Sequence, residues 1–267
     1  MPSPTSTPDL SGRHVLIPGG TGGVGEGAVR AYLAAGADVV VPTRSRERAV
    51  EFRAVLGDAA TDHLHLFAHD YTTFAGAEAL AVTMEDRLGS VDDVVAPIGG
   101  WWAGRRLWEI DESDWQSAFV GLATTHMAVL RAALPRMTAD GAYSVIVGTS
   151  ALTPIPASGL VSMEQAAVLM MQQVLAAELG ADKRVFALQL GPVRTRLAEA
   201  SGVTDPAWVS PDQVGAVAVA ASGAASVAGQ SIRLLTGAEA EAALALFRPA
   251  GGEQASAAGR QLRVGQG

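Results

Sequence analysis

Five glycines crowd one short stretch, Gly19, Gly20, Gly22, Gly23 and Gly25, directly after the apolar run Val15-Leu16-Ile17 and Pro18. The spacing of Gly19, Gly23 and Gly25 is G-x-x-x-G-x-G, a pattern that can cradle a pyrophosphate. Gly19 and Gly23 can take backbone angles closed to other residues, and a loop without side chains brings its amides up to an anion. The apolar run before the loop reads as a strand. The pattern after it reads as a helix whose free N–H groups and positive dipole end face the same anion. Gly25 lets that helix pack closely on the strand. A second apolar run, Val39-Val40-Val41, completes a strand–loop–helix–strand unit, which separates this loop from an ordinary tight turn.

Directly past the second strand stands Thr43-Arg44-Ser45-Arg46. A site for NAD places an acid here for the ribose hydroxyls, whereas a 2′-phosphate asks for a cation. No acid is present, so the sequence points to NADP(H), with Arg44 as the main phosphate contact and Arg46 as a second. The same arginines also suit the solvated start of a helix. After the third strand comes His69-Asp70-Tyr71, where Asp70 can meet an adenine or cap a helix. After the fourth comes Pro97-Ile98-Gly99-Gly100-Trp101-Trp102. Its glycines let the backbone lie against a ribose. The tryptophans enter a loop above the C-terminal sheet edge, where open α/β sheets bind ligands. They can line an apolar substrate pocket, or pack the loop onto its own domain or a partner subunit.

Further reactive side chains cluster around the fifth strand and the helix after it. Thr149 and Ser150 end that strand, and Ser162 and Glu164 open the helix. Glu164 in a first turn suits the helix dipole. His126 is a core or interface histidine, and Arg105 and Arg106 are solvated or hold an acidic substrate. The chain lacks a Ser-His-Asp order, an HExxH motif and any Cys/His ligand spacing, so no metal site is expected. It contains one lysine, Lys183, and three tyrosines, Tyr32, Tyr71 and Tyr143.

The elements that must position these groups alternate along the chain. Strands are expected at 14–17, 38–41, 63–67, 93–96, 143–147, 184–189 and 230–235. Helices are expected at 24–35, 46–56, 74–88, 112–137 and 161–179, with one after Pro211 and a short one at 239–247. This order predicts an α/β fold: one doubly wound parallel sheet of about seven strands with helices on both faces. One domain spans 11–237, between a flexible tail at 1–10 and a short helix with a mobile glycine-rich tail at 238–267. Apolar residues make up 49% of the 267 residues, ample for a two-sided core. No apolar run reaches the ~18 residues of a membrane span. The net charge of −8 argues against nucleic acid as the main partner. With no cysteine and no basic–apolar leader, the expected location is cytoplasmic. The long helices carry more apolar residues than one sheet face covers: Met127, Val129, Leu130, Leu169, Met170, Met171, Val174 and Leu175. A homodimer or homotetramer through these helices is expected.

From about residue 10 to 237 the chain resembles the short-chain dehydrogenase/reductase family. The family's T-G-x-x-x-G-x-G matches Pro18–Gly25, with Pro18 in place of Thr. Its N-N-A-G segment looks like Ala96-Pro97-Ile98-Gly99, and its P-G segment like Leu190-Gly191-Pro192-Val193, with Thr195 in the place of a threonine near the nicotinamide. The run from Trp115 to Pro135 also resembles the family without gaps. Strands 1 and 4 are neighbours in that fold, so Pro18 and Pro97 together imply a repacked sheet edge. The resemblance and the loop chemistry together give a cofactor set of Gly19, Thr21, Gly22, Gly23, Val24, Gly25, Arg44, Asp70, Tyr71, Gly99, Gly191, Val193 and Thr195.

The family's chemistry uses a tyrosine that moves a proton, a lysine four residues on, a serine and an asparagine. Carried over, the asparagine falls on Leu122, the serine on Ser150, the tyrosine on Val161 and the lysine on Gln165. One of the four survives. Ser150 and Gln165 are therefore the candidate catalytic residues, and Trp101, Trp102, Leu122 and Val161 the candidate substrate pocket. Two functions follow. One is an NADP(H)-dependent oxidoreductase of divergent mechanism, acting on a small apolar carbonyl-type or activated substrate. The other is a non-redox protein on the same scaffold: an NADP(H)-binding sensor or subunit, or a redox-neutral cyclase or isomerase.

Overall fold

The computed structural model describes residues 8–180 and 182–247. Of the two expected tails, residues 1–7 and 248–267 lie outside these. Seven parallel strands form one sheet in the order β3-β2-β1-β4-β5-β6-β7. They are β1 (His14–Leu16), β2 (Asp38–Thr43), β3 (Leu64–Ala68), β4 (Val91–Ala96), β5 (Met137–Gly148), β6 (Arg184–Leu190) and β7 (Ser231–Leu234). The central strands are apolar runs rather than alternating ones, because helices cover both faces: Val39, Val40 and Val41 are all fully buried.

The helices are α1 (Gly23–Ala34), α2 (Arg46–Leu56), α3 (Phe74–Leu88), α4 (Glu112–Trp115), α5 (Gly121–Ala133), α6 (Gly159–Leu179), α7 (Arg196–Ala200), α8 (Pro211–Ser222) and α9 (Gly237–Leu246). Val29 and Tyr32 of α1 pack with Val217 and Ala218 of α8 in one core; Leu80, Met84, Val129 and Val168 of α3, α5 and α6 form the other. Helix starts follow short-range chemistry. Ser45, Thr73 and Asp111 accept a backbone N–H of the helix each precedes, and Ser210 forms a capping box with Gln213, with Pro211 at the first helical position.

The expected helix over 112–137 is not uniform. A π turn at Gln116–Val120 separates α4 from α5, and a 3₁₀ turn carries the chain past Pro135. The chain then enters β5 at Met137, before the expected 143. Asp92 and Asp93 explain the early start: Asp92 accepts from the Thr138 hydroxyl at 3.1 Å, and Asp93 accepts from the Ala142 amide at 2.8 Å. The expectation that nothing is long and apolar enough to span a membrane also needs correction. By length and composition alone the helices Glu112–Arg136 and Gly159–Leu179 pass that test. In the fold each lays part of its surface against the second core. Val129, Leu169 and Leu175 are buried within the chain, so the apolar surface left on α5 and α6 is Met127, Met163, Met170 and Val174.

At the N-terminal edge of the sheet the charges are closely paired. Arg13 grips Asp93 with Nη2–Oδ1 at 2.9 Å and Nε–Oδ2 at 3.1 Å, and reaches Asp140 at 2.8 Å. Lys183 donates to the carbonyls of Met137 and Thr138 at 2.8 and 3.0 Å. Elsewhere α1 and α8 meet backbone to backbone. A Cβ on Gly27 would collide with the Pro211 carbonyl, and one on Gly215 with the Gly27 carbonyl.

Candidate functional site

The strand order reverses between β1 and β4, and the crevice above this switch point is where such sheets bind ligands. The loop after β1 is built for it. Pro18 has no N–H to extend a ladder, and the Gly20 and Gly22 amides turn back onto the Ile17 and Gly19 carbonyls at 3.0 and 2.9 Å. Gly19 takes φ +85°, and a Cβ there would stand 2.6 Å from the Pro97 carbonyl oxygen. The β1 and β4 loops thus touch main chain to main chain. Gly23 needs space and not an unusual angle: it begins α1, and a Cβ on it would stand 2.8 Å from the Thr195 methyl. Gly25 serves the loop rather than the strand, since a Cβ there would strike the Gly19 carbonyl. No side chain caps α1 at Gly22. Its first amides, with Thr21 and Val24 beside them, remain available to an anion.

Arg44 is exposed at the end of β2, and among the described residues no carboxylate lies within ion-pair reach of it. The Tyr71 phenol lies near it and faces the Gly19 main chain. Burial pushes that phenol up, while the Arg44 charge and the Gly19 backbone pull it down. Arg44, Tyr71 and the glycine loop therefore share one end of the crevice. Asp70 is exposed, and its carboxylate takes the Thr72 amide at 2.9 Å and the Thr72 hydroxyl at 2.7 Å, which holds it below its ordinary range. It does not cap α3; Thr73 does.

Across the crevice, Gly191 sits against the Leu235 main chain and Val193 pairs with Val209. Beyond this pin Thr195 caps α7, and Arg196 reaches Glu26 of α1 at 2.9 Å. A cleft of about 220 Å³ runs here, lined by Gly23, Glu26, Arg30, Arg194, Arg196 and Asp212 among others.

The two tryptophans differ in their surroundings. Trp102 is half-buried and its indole N–H donates to Asp114 at 3.0 Å, so it packs the loop onto its own domain. Trp101 is 72% exposed beside the exposed Gly99 and Gly100. Arg105 is held by Asp111 and Asp114 at 2.7 and 2.6 Å, and Arg106 lies over the Trp108 ring. Leu107 covers Gly159 at the start of α6, and the Gly104 amide donates to Ala157, a non-glycine residue at φ +61°. Of the large apolar side chains on the loops after β4, β5 and β6, Trp101, Leu107, Trp108, Leu152, Leu197 and Val203 are all more than half exposed.

A buried polar cluster joins α5 and α6 to the loops after β4 and β5. Ser150 is buried in the 3₁₀ turn after β5, Val161 is buried on α6, and Leu122 is half-buried on α5. The Gln165 carbonyl oxygen accepts the Gly148 amide at 2.6 Å, and its NH₂ donates to Glu164 Oε2 at 2.6 Å. That nitrogen would lie 3.9 Å from a Cβ on Gly99, so it also faces the β4 loop. His126 Nε2 donates to the Ile98 carbonyl at 2.9 Å and stands 3.7 Å from Glu164 Oε1. Among the described residues, Glu164 Oε1 and His126 Nδ1 have no hydrogen-bond partner. Burial, only partly opposed by Gln165, pushes Glu164 up to about 7. Burial likewise pushes His126 down to about 4, against its bond to Ile98.

Glu164 corrects the sequence reading. Helix α6 begins at Gly159, so Glu164 is past the first turn, and it is fully buried. Its place beside Gln165, and His126 one turn beyond Leu122, were the only signals available. The sole lysine lies at the opposite sheet edge. Tyr32 bonds the Ala218 carbonyl within the α1–α8 core, and Tyr143 is fully buried on β5.

Residues 19–241 match the family described as enoyl-(acyl carrier protein) reductase. The chain belongs to this family of short-chain dehydrogenases/reductases, which are oxidoreductases. An uncharacterized oxidoreductase of Staphylococcus haemolyticus is 27% identical over 173 residues, 64% of this chain and 73% of that protein. The cis-2,3-dihydrobiphenyl-2,3-diol dehydrogenase of Paraburkholderia xenovorans is 25% identical over 193 residues, 70% of this chain and 68% of that protein. A short-chain type dehydrogenase/reductase structure from Mycobacterium ulcerans superposes with TM-score 0.77 at 23% identity, covering 87% of this chain and 91% of that one. The fold class expected from the sequence is the one observed, and the family implies a nicotinamide cofactor. The bare loop main chain around Gly19 and the uncapped start of α1 fit such a group.

Proposed function

We propose that this chain is an NADP(H)-dependent oxidoreductase that works without the family's tyrosine–lysine relay. The observation that carries the cofactor choice is Arg44, an exposed cation at the end of β2 with no acid beside it. When bound, the nicotinamide supplies or accepts the hydride. Gly19, Thr21, Gly22, Gly23, Val24 and Gly25 would hold the pyrophosphate; Arg44 would hold the 2′-phosphate. Tyr71 and Asp70 would flank the adenosine, and Gly99, Gly191, Val193 and Thr195 the nicotinamide end. Gln165 would offer its second N–H to the ribose, since its first goes to Glu164. Ser150 would orient the substrate oxygen.

Val161 supplies no proton, and losing a positioned acid typically costs about 10²–10⁴ in rate. The substrate is therefore one whose acceptor is already activated. The exposed apolar side chains on the loops after β4, β5 and β6 (Trp101, Leu107, Trp108, Leu152, Leu197 and Val203), with Leu122 and Val161, favour an apolar substrate. The likeness to a dehydrogenase of a dihydrobiphenyl diol is compatible with that class. Met127, Met163, Met170 and Val174 would meet a second copy in a homodimer or homotetramer. The observation that favours non-redox binding instead is Val161 itself, buried where the acid would stand.

The test is a titration with NADPH and NADP⁺, beside an Arg44→Ala variant. Binding that weakens about tenfold or more in the variant is expected, with little change for NADH. Equal binding of NADPH by both proteins would refute the Arg44 assignment. Tight binding with no turnover across apolar carbonyl, enone and imine substrates would favour the non-redox reading.

A further inference from the structure

The buried pair Glu164–His126 is unused by the function proposed above. Glu164 has one partner for two oxygens, no solvent exposure, and an unpartnered Oε1 3.7 Å from His126 Nε2. Its other oxygen takes the Gln165 amide, and that amide in turn fixes the Gly148 main chain and faces Gly99. A buried acid joined by one hydrogen bond to the residue in the lysine's place feels any charge arriving above Gly99 and Gly148. The family's lysine is a permanent cation there; this chain has replaced it with a neutral amide and an adjoining acid.

We propose that Glu164 is a positioning residue that makes the site discriminate between the two redox forms of the nicotinamide cofactor by charge. The inference rests on the NADP(H) reading. The oxidised ring carries a positive charge and the reduced ring does not. A cation near Glu164 favours the carboxylate. Binding of NADP⁺ therefore drives the Glu164 proton out to solvent, and binding of NADPH leaves it in place. By linkage, the carboxylate form of the site prefers NADP⁺.

The groups around Glu164 do not obscure this. Helix α5 brings His126, which burial keeps neutral down to about pH 4. The turns 116–120 and 149–151 packed on α6 carry no ionisable residue. The ionisable residues of β5 and β6 (Asp140, Tyr143 and Arg184) stand away from the strand ends that meet Gln165. From the β4 loop comes only the Ile98 carbonyl.

The experiment measures Kd for NADPH and for NADP⁺ from pH 5.5 to 8.5, and reads their ratio. The 2′-phosphate and Arg44 are common to both forms, so their titration cancels. The ratio Kd(NADPH)/Kd(NADP⁺) is expected to rise about tenfold across this range, the equivalent of a one-unit shift at Glu164. In Glu164→Gln the ratio should stay flat. Calorimetry of the unaltered protein in buffers of different ionisation enthalpy gives a second readout: near pH 7, NADP⁺ should release part of a proton more than NADPH, the share from the 2′-phosphate being common to both. A flat ratio in the unaltered protein, or the same slope in Glu164→Gln, overturns the proposal. Failure of both forms to bind at every pH overturns the NADP(H) reading instead.

Discussion

Both ends of the central sheet carry buried acids. At the N-terminal edge Asp93 is 1% exposed, yet it is met by two nitrogens of Arg13 and the Ala142 amide. At the C-terminal edge Glu164 is equally buried and has only the Gln165 amide. Burial opposes ionisation of both acids, and only Asp93 has a guanidinium against it. A buried charge with a matched partner serves the fold, and a buried acid with a spare oxygen is poised to change state. The pairing, rather than the burial, tells the two regions apart.

The largest expected effect breaks the paired end. Arg13→Met should leave Asp93 without its counter-charge and cost about 3–5 kcal/mol of stability, read from urea unfolding at pH 7. A loss below about 1 kcal/mol would show that the pair does not support the fold.

Next comes the unpaired end. With its pKa raised in the fold, Glu164 contributes stability fully below the ordinary value of 4.5, and that contribution is lost as pH rises to about 7. Glu164→Gln should remove this decline, a difference on the order of 2–3 kcal/mol between pH 4.5 and 8. His126 acts in the opposite sense. Its pKa is lowered, so its contribution is present above 6.5 and lost as pH falls through about 4. If Glu164→Gln leaves the stability–pH curve unchanged above pH 5, Glu164 is ionised in the resting protein and the contrast fails.

A smaller effect sharpens the picture. His126→Leu removes the Ile98 carbonyl's donor, so thermal or urea unfolding should register about 1–2 kcal/mol. Unchanged stability would mean that the β4 loop does not depend on it. The smallest effect is at the surface. Arg105→Ala breaks an exposed pair with Asp111 and Asp114 and should leave the urea midpoint unchanged within error. A clear shift would show that the tryptophan loop relies on this pair more than its exposure implies.

The glycine loop, the alternation of strands and helices and most helix ends were legible because their causes are local. Pro211 marks the start of α8 in the chain itself, and the buried strands announce themselves as apolar runs; the caps Thr73 and Ser210 act over only three residues, yet neither is among the sequence expectations. Glu164 and His126 were not legible. Their burial depends on α5 packing beside α6, and on α6 starting at Gly159 after a turn through Ala157, facts set by distant chain. The fates of Trp101 and Trp102 likewise hang on Asp114, which holds only the second. The early start of β5 depends on carboxylates of a neighbouring strand, a long-range cause with no mark in its own sequence.

The contact of Gly27 with the Pro211 carbonyl leaves α1 and α8 with no side chain between them at that point. Side chains absorb a shift by changing rotamer, and main chain pressed on main chain has no such slack. The two helices therefore share one set of rigid-body motions. The Val193–Val209 pairing anchors the segment between β6 and α8 to the same unit. The stretch from Arg194 to Trp208 is held at two further points: Arg196 pairs with Glu26 of α1, and the Ala207 carbonyl accepts the Gly237 amide at the start of α9. One wall of the crevice is thus braced from α1, α8 and α9 together.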